Sequence, residues 1–88
     1  MIRRRVVVHG RVQGVGFRYA VARRAQARGL AGWVSNRPDG TVEAVFEGDP
    51  DAVESLARFC SHGPPGAVVD DVDVVEEAAA GLRAFELR

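Results

Sequence analysis

The chain has 88 residues, room for one domain with one thin core, and residues 1–88 are expected to form that domain. Its twelve basic residues are all arginine and match twelve acids; without lysine, a lysine-dependent phosphate loop and a Schiff-base mechanism are excluded. One cysteine excludes an internal disulfide, no apolar run reaches membrane-spanning length, and the run behind the charged N-terminus is too short for a secretory leader, so a soluble cytoplasmic protein is expected.

Residues 4–8 alternate as a first strand, with Val6 and Val8 on one face and Arg5, Val7 and His9 on the other. A glycine-rich turn follows. A helix is expected over 17–28, with Phe17 at its start, Val21, Ala22 and Ala25 toward the core and Gly29 as its C-terminal cap residue. Residues 30–36 read as a second strand carrying Trp33 and Val34, and Pro38-Asp39-Gly40 as a turn. Residues 41–47 return as a third strand, with Val42, Ala44 and Phe46 inward and Glu43 and Glu47 outward, so the two strands form a hairpin. Asp49 suits an N-cap and Pro50 the first position of a second helix, whose Val53, Leu56, Ala57 and Cys60 share one face. Gly63-Pro64-Pro65-Gly66 breaks the chain before a fourth strand over 68–75, with Val68, Val72 and Val74 on one face. Residues 85–87 can add a short closing edge. The order β-α-β-β-α-β implies an α+β, ferredoxin-like sandwich, two helices on one face of an antiparallel sheet.

Charge is unevenly placed: residues 1–37 hold nine arginines and no acid, and the acids all follow. Either the first half builds a basic site, or folding interleaves the halves into a mixed surface. The segment Gly10-Arg11-Val12-Gln13-Gly14-Val15-Gly16-Phe17-Arg18 joins strand to helix. Glycines let backbone N–H groups turn toward a guest, a helix N-terminus adds partial positive charge, and Arg18 adds a full one. All three suit a compact anion such as phosphate. In a β-α-β unit of this kind strands one and two are parallel, with strand three between them. Their C-terminal ends share one sheet edge, about 10 Å apart. The turn would therefore face Asn36.

Two motifs carry a resemblance to the acylphosphatase family. The segment from Gly10 to Arg18 resembles the family's phosphate-binding stretch, and Gly32-Trp33-Val34-Ser35-Asn36-Arg37-Pro38-Asp39-Gly40-Thr41-Val42, followed by Gly48, resembles its second motif. The likeness spans the chain. It implies hydrolysis of a carboxyl–phosphate anhydride to a carboxylate and inorganic phosphate, with no metal and no cofactor. Arg18 would grip phosphoryl oxygens, and the N–H groups of Gln13, Gly14, Val15, Gly16, Phe17 and Arg18 would bind the rest. Asn36 would hold the attacking water. The substrate's own phosphate oxygen would take the proton. Gln13 and Val15 are expected to contribute backbone only. Ser35 departs from the family, which usually has a longer, often basic side chain there. The position should neighbour the site and bears on substrate preference or affinity, not on activity itself.

Plainer readings stand beside these. Arg18 could be a solvated first-turn residue, although a helix N-terminus disfavours a cation. Asn36 before Pro-Asp-Gly is also a common turn starter. His9 and His62 suit structural or exposed positions, Cys60 a core position, and Asp70, Asp71 and Asp73 a solvated face or, alternatively, a divalent-cation site. Two rival functions use the same architecture. One is an RNA-binding module, which needs stacking aromatics on the open sheet face, and zero net charge argues against it. The other is a non-catalytic domain that binds acyl or carbamoyl phosphate. A monomer acting on a small acyl phosphate, with no nucleic-acid or membrane partner, is the expected reading.

Overall fold

The computed structural model describes all residues, 1–88. Its first strand, β1 (Ile2–Arg11), runs past both ends of the valine alternation. Helix α1 (Phe17–Ala27) follows, then the hairpin of β2 (Ala31–Asn36) and β3 (Val42–Gly48), helix α2 (Pro50–Cys60), β4 (Val68–Glu77) and β5 (Phe85–Leu87). The sheet order is β4-β1-β3-β2-β5. β1 and β2 each pair antiparallel with β3 and are therefore parallel to one another. β5 pairs parallel with β2, so the five-stranded sheet is mixed rather than purely antiparallel.

Period-2 alternation decides what the helices cover. Val6 and Val8 of β1, and Val42, Ala44 and Phe46 of β3, are fully or almost fully buried under both helices. From α1 they meet Phe17, Val21, Ala22 and Ala25, and from α2 Val53, Leu56 and Cys60, the stripes read from helical spacing. Pro50 begins α2, and the Asp49 carboxylate accepts from the Ala52 N–H at 3.3 Å, a cap worth about 1 kcal/mol.

One strand face differs from expectation. Between His9 and Gly10 the β1–β4 register shifts: His9 pairs with Asp71 but Gly10 with Val69. This bulge reverses the alternation beyond it. Val69, not Val68, packs toward the core with Val72, and Val68 stands exposed. Gly10 permits it, since a Cβ there would lie only 2.1 Å from the Val68 carbonyl oxygen.

The open sheet face settles the charge question for β1. Arg3 pairs with Glu47 and Glu77, and Arg5 with Glu43 and Glu77, all on that face, while Arg4 pairs with Glu54 and Glu76. The halves do interleave there. Glu47 faces outward as expected but is not solvated: it is 1% exposed. The connection from β4 to β5 lies over it and donates three N–H groups to its carboxylate, from Ala80 (2.9 Å), Gly81 (2.6 Å) and Leu82 (3.0 Å). No aromatic of β1 or β3 faces this side. Phe46 is turned inward, stacked on Phe85, and Trp33 of β2 carries the guanidinium groups of Arg5 and Arg88 over its ring.

Candidate active site

The chain turns from β1 into α1 over residues 12–16. Gly14 and Gly16 take positive φ there (75° and 78°), conformations that L side chains rarely adopt. Gly16 occupies the N-cap of α1, no side chain caps the helix, and its first turn holds no acid. The backbone N–H groups of residues 13–18 have no acceptor anywhere in the protein. Buried or half-buried N–H groups normally find one, and a helix N-terminus normally recruits an oxygen. This one presents a row of bare donors and, as the second residue of α1, an arginine.

Arg18 is half-buried and pairs with no aspartate or glutamate side chain; its Nη1 donates to the main-chain oxygen of Arg88, the last residue of the sequence, at 2.7 Å. That single bond leaves most of the guanidinium fork unengaged. Asn36 ends β2 opposite Val42 and so shares the helix-bearing face with the turn. It is exposed, and its amide has no partner within the protein. A cavity of about 190 Å³, several times the ~30 Å³ share of one water, is lined by Gly14, Gly16, Phe17, Arg18, Tyr19 and Asn36 above Val12. The turn and the end of β2 therefore meet, as the strand order requires. Three larger depressions, about 380, 390 and 270 Å³, lie along α1, beside Trp33 and between α1 and α2, and none is at a helix N-terminus.

Two expected roles differ. Gln13 contributes more than backbone: its Nε2 donates to the Arg37 carbonyl at 2.8 Å and the Thr41 carbonyl at 3.0 Å, clamping the turn onto the β2–β3 hairpin. The hairpin is itself pinned by Asp39, which accepts from the Thr41 hydroxyl and N–H; the hydroxyl bond above all lowers the Asp39 carboxyl below its ordinary value. Ser35 does not neighbour the cavity. Strand alternation turns it to the opposite face, paired with Glu43. Val15 packs partly against the core and does not line the cavity.

The remaining titratable groups lie elsewhere. Cys60 is buried, and burial pushes its thiol up to about 12, which removes it as a thiolate nucleophile near neutral pH. His9 pairs with Asp73 at 2.9 Å, His62 is exposed after α2, and Asp70, Asp71 and Asp73 stand exposed on the edge strand β4. No helix is long and apolar enough to cross a membrane.

The arrangement suits a phosphoryl group: bare N–H donors, a planar cation beside them, and a neutral amide at the rim. Comparison with known proteins agrees. The family model described as Acylphosphatase matches residues 4–87. A protein of Nostoc sp. named Acylphosphatase is 58% identical over 88 residues, 100% of this chain and 87% of that one. The crystal structure of acylphosphatase from Bacillus subtilis superposes with a TM-score of 0.95 at 44% identity, covering 100% of this chain and 99% of that one. The structure of T. kodakarensis HypF contains a similar unit, with a TM-score of 0.83 at 32% identity, covering 99% of this chain and 12% of that one.

Proposed function

Because the chain belongs to the acylphosphatase family, we propose that it hydrolyses the carboxyl–phosphate bond of acyl phosphates through the 13–18 turn, Arg18 and Asn36. The observation that carries this reading is the run of N–H groups without acceptors beside an arginine that no aspartate or glutamate side chain neutralises.

Two phosphoryl oxygens lie against the Arg18 fork, and the N–H groups of Gln13, Gly14, Val15, Gly16, Phe17 and Arg18 take the rest. The Asn36 amide orients a water for in-line attack on phosphorus. As the water oxygen bonds to phosphorus, the bond to the acyl oxygen breaks and the carboxylate leaves with the electron pair. A phosphate oxygen takes the water's proton, giving inorganic phosphate. A carboxylate needs no general acid to depart, which fits a site without a side chain placed for that work. Charge held in a preorganised, partly desolvated turn supplies the rate enhancement.

The 88 residues act as one domain on a small acyl phosphate. A monomer working in the cytoplasm completes the proposal; a lone buried cysteine is compatible with a reducing compartment.

Turnover of benzoyl phosphate, followed in the presence of a chelator, tests the proposal. The wild type should hydrolyse it, and folded Asn36→Ala should not. A second reading, binding without turnover, has the HypF likeness in its favour, where a unit of this shape is 12% of a larger chain. A folded wild type that binds inorganic phosphate but hydrolyses nothing would establish that reading instead.

Gln13→Ala is expected to lower stability by about 1–2 kcal/mol, since one side chain carries two hydrogen bonds to the hairpin. It should also lower kcat, because the turn would lose its fixed distance from Asn36. Urea unfolding and steady-state kinetics on the same sample check both. A loss of stability with unchanged kcat would make the clamp purely structural.

A further inference from the structure

Tyr19 is 62% exposed and is the only aromatic among the exposed large hydrophobic side chains. A lone exposed apolar residue needs no explanation. Its position does. Tyr19 follows Arg18 in the first turn of α1 and lines the cavity shared with Gly14, Gly16 and Asn36. The other two large apolar side chains lining it, Val12 and Phe17, are 1% and 2% exposed, their surface already used by the core. The Tyr19 ring has no aromatic partner and no cation above it, whereas Phe17, Phe46, Phe59, Phe85 and Trp33 all do. Its hydroxyl makes no hydrogen bond within the protein.

An acyl phosphate docks by its phosphoryl end, so the acyl group must project out of the turn. In-line displacement places the leaving oxygen opposite the attacking water. With the water at Asn36, reached from the sheet, the acyl group leaves on the side of the helix. Of the large apolar side chains lining the cavity, the Tyr19 ring alone is exposed to meet it. Resting on the function proposed above, we infer that Tyr19 is a specificity-determining residue that stacks on the acyl group and makes aromatic acyl phosphates the favoured substrate class. Stacking acts on substrate and transition state alike, so it lowers KM and leaves kcat unchanged.

The test compares benzoyl phosphate with acetyl phosphate, which has no ring to stack, in the wild type, Tyr19→Ala and Tyr19→Phe. Tyr19→Ala should raise KM for benzoyl phosphate about 3- to 10-fold at constant kcat and leave acetyl phosphate kinetics unaltered. Tyr19→Phe should match the wild type on both, because the ring and not the hydroxyl is used. Equal effects on the two substrates, no effect on either, or a loss in Tyr19→Phe as large as in Tyr19→Ala would each overturn the inference while the hydrolase reading stands. A wild type that turns over neither substrate would overturn that reading itself, and this one with it.

Discussion

Arg18→Ala is expected to lower kcat on benzoyl phosphate about 10²–10³-fold while the protein stays folded, because a preorganised charge-stabilising donor contributes on that scale. The two halves of this expectation have separate grounds. The loss of rate follows from the position of the guanidinium beside N–H groups that have no acceptor of their own. Retention of the fold follows from how little else the side chain does. It pairs with no aspartate or glutamate side chain, and its one intramolecular bond, to the main-chain oxygen of the last residue, Arg88, is exposed. Removing a cation from a helix N-terminus is, if anything, mildly favourable to the helix. Arg18→Lys should recover only part of the rate, since an ammonium restores charge but not the planar fork. Kinetics beside a thermal unfolding curve decide the matter. An Arg18→Ala enzyme with wild-type kcat would remove Arg18 from the mechanism.

Glu47→Ala should produce the largest loss of stability from substituting a single charged side chain, about 3–5 kcal/mol. The carboxylate is out of solvent and takes the N–H groups of Ala80, Gly81 and Leu82 together with the Arg3 guanidinium at 3.3 Å. Deleting it leaves the three N–H groups without their acceptor and Arg3 with Glu77 alone. For a domain of this size that corresponds to a fall in Tm of roughly 15–30 °C. The same site sets an acid response. Bonding from the Ala80 N–H above all, opposed by burial and reinforced by Leu82, Gly81 and Arg3, holds the Glu47 carboxyl below its ordinary 4.5. A carboxyl depressed in the folded state binds fewer protons there than when unfolded. Its contribution is therefore complete above about 4.5 and is lost as pH falls through the folded value. Glu77 and Asp39 are lowered too and add to the acid slope, so the informative quantity is a difference between proteins. Glu47→Gln keeps the shape but not the titration. Denaturation at about pH 7 and about pH 3 should show it less stable than the wild type at the first and much closer to it at the second. Equal stability at neutral pH would refute the account.

What the sequence reveals and what it conceals divide along the range of the interactions. The valines of β1, the stripes of both helices, the Asp49-Pro50 cap and the Pro38-Asp39-Gly40 turn are visible because their signals repeat within a few residues. The meeting of the 13–18 turn with Asn36 is also legible, since the order of strands determines which ends share an edge. Val68 is misplaced because the bulge opposite Gly10 inserts one residue that no local pattern announces. Glu47 reads as a solvent-facing strand position and is one by alternation. Only the passage of residues 80–82 over it makes it a buried anchor. The Gln13 clamp depends on the hairpin lying a hydrogen bond away, a fact of tertiary structure. Ser35 is different: alternation alone assigns it to the face opposite Asn36, although the two are neighbours in the motif. Tyr19 carries its own signal, an aromatic directly after Arg18.

The unsatisfied N–H groups have a thermodynamic consequence apart from catalysis. A ligand that completes them binds the folded chain and not the unfolded one, so it shifts the folding equilibrium by mass action, about 2.7 kcal/mol at a concentration one hundred times Kd. Inorganic phosphate, the product, should therefore raise the melting temperature in a saturable way that chloride at equal ionic strength does not reproduce, and Arg18→Ala should blunt the rise. The enzyme would then be hardiest when product accumulates and least protected in its absence. Its apparent heat resistance would be a property of the solution it works in as much as of its core.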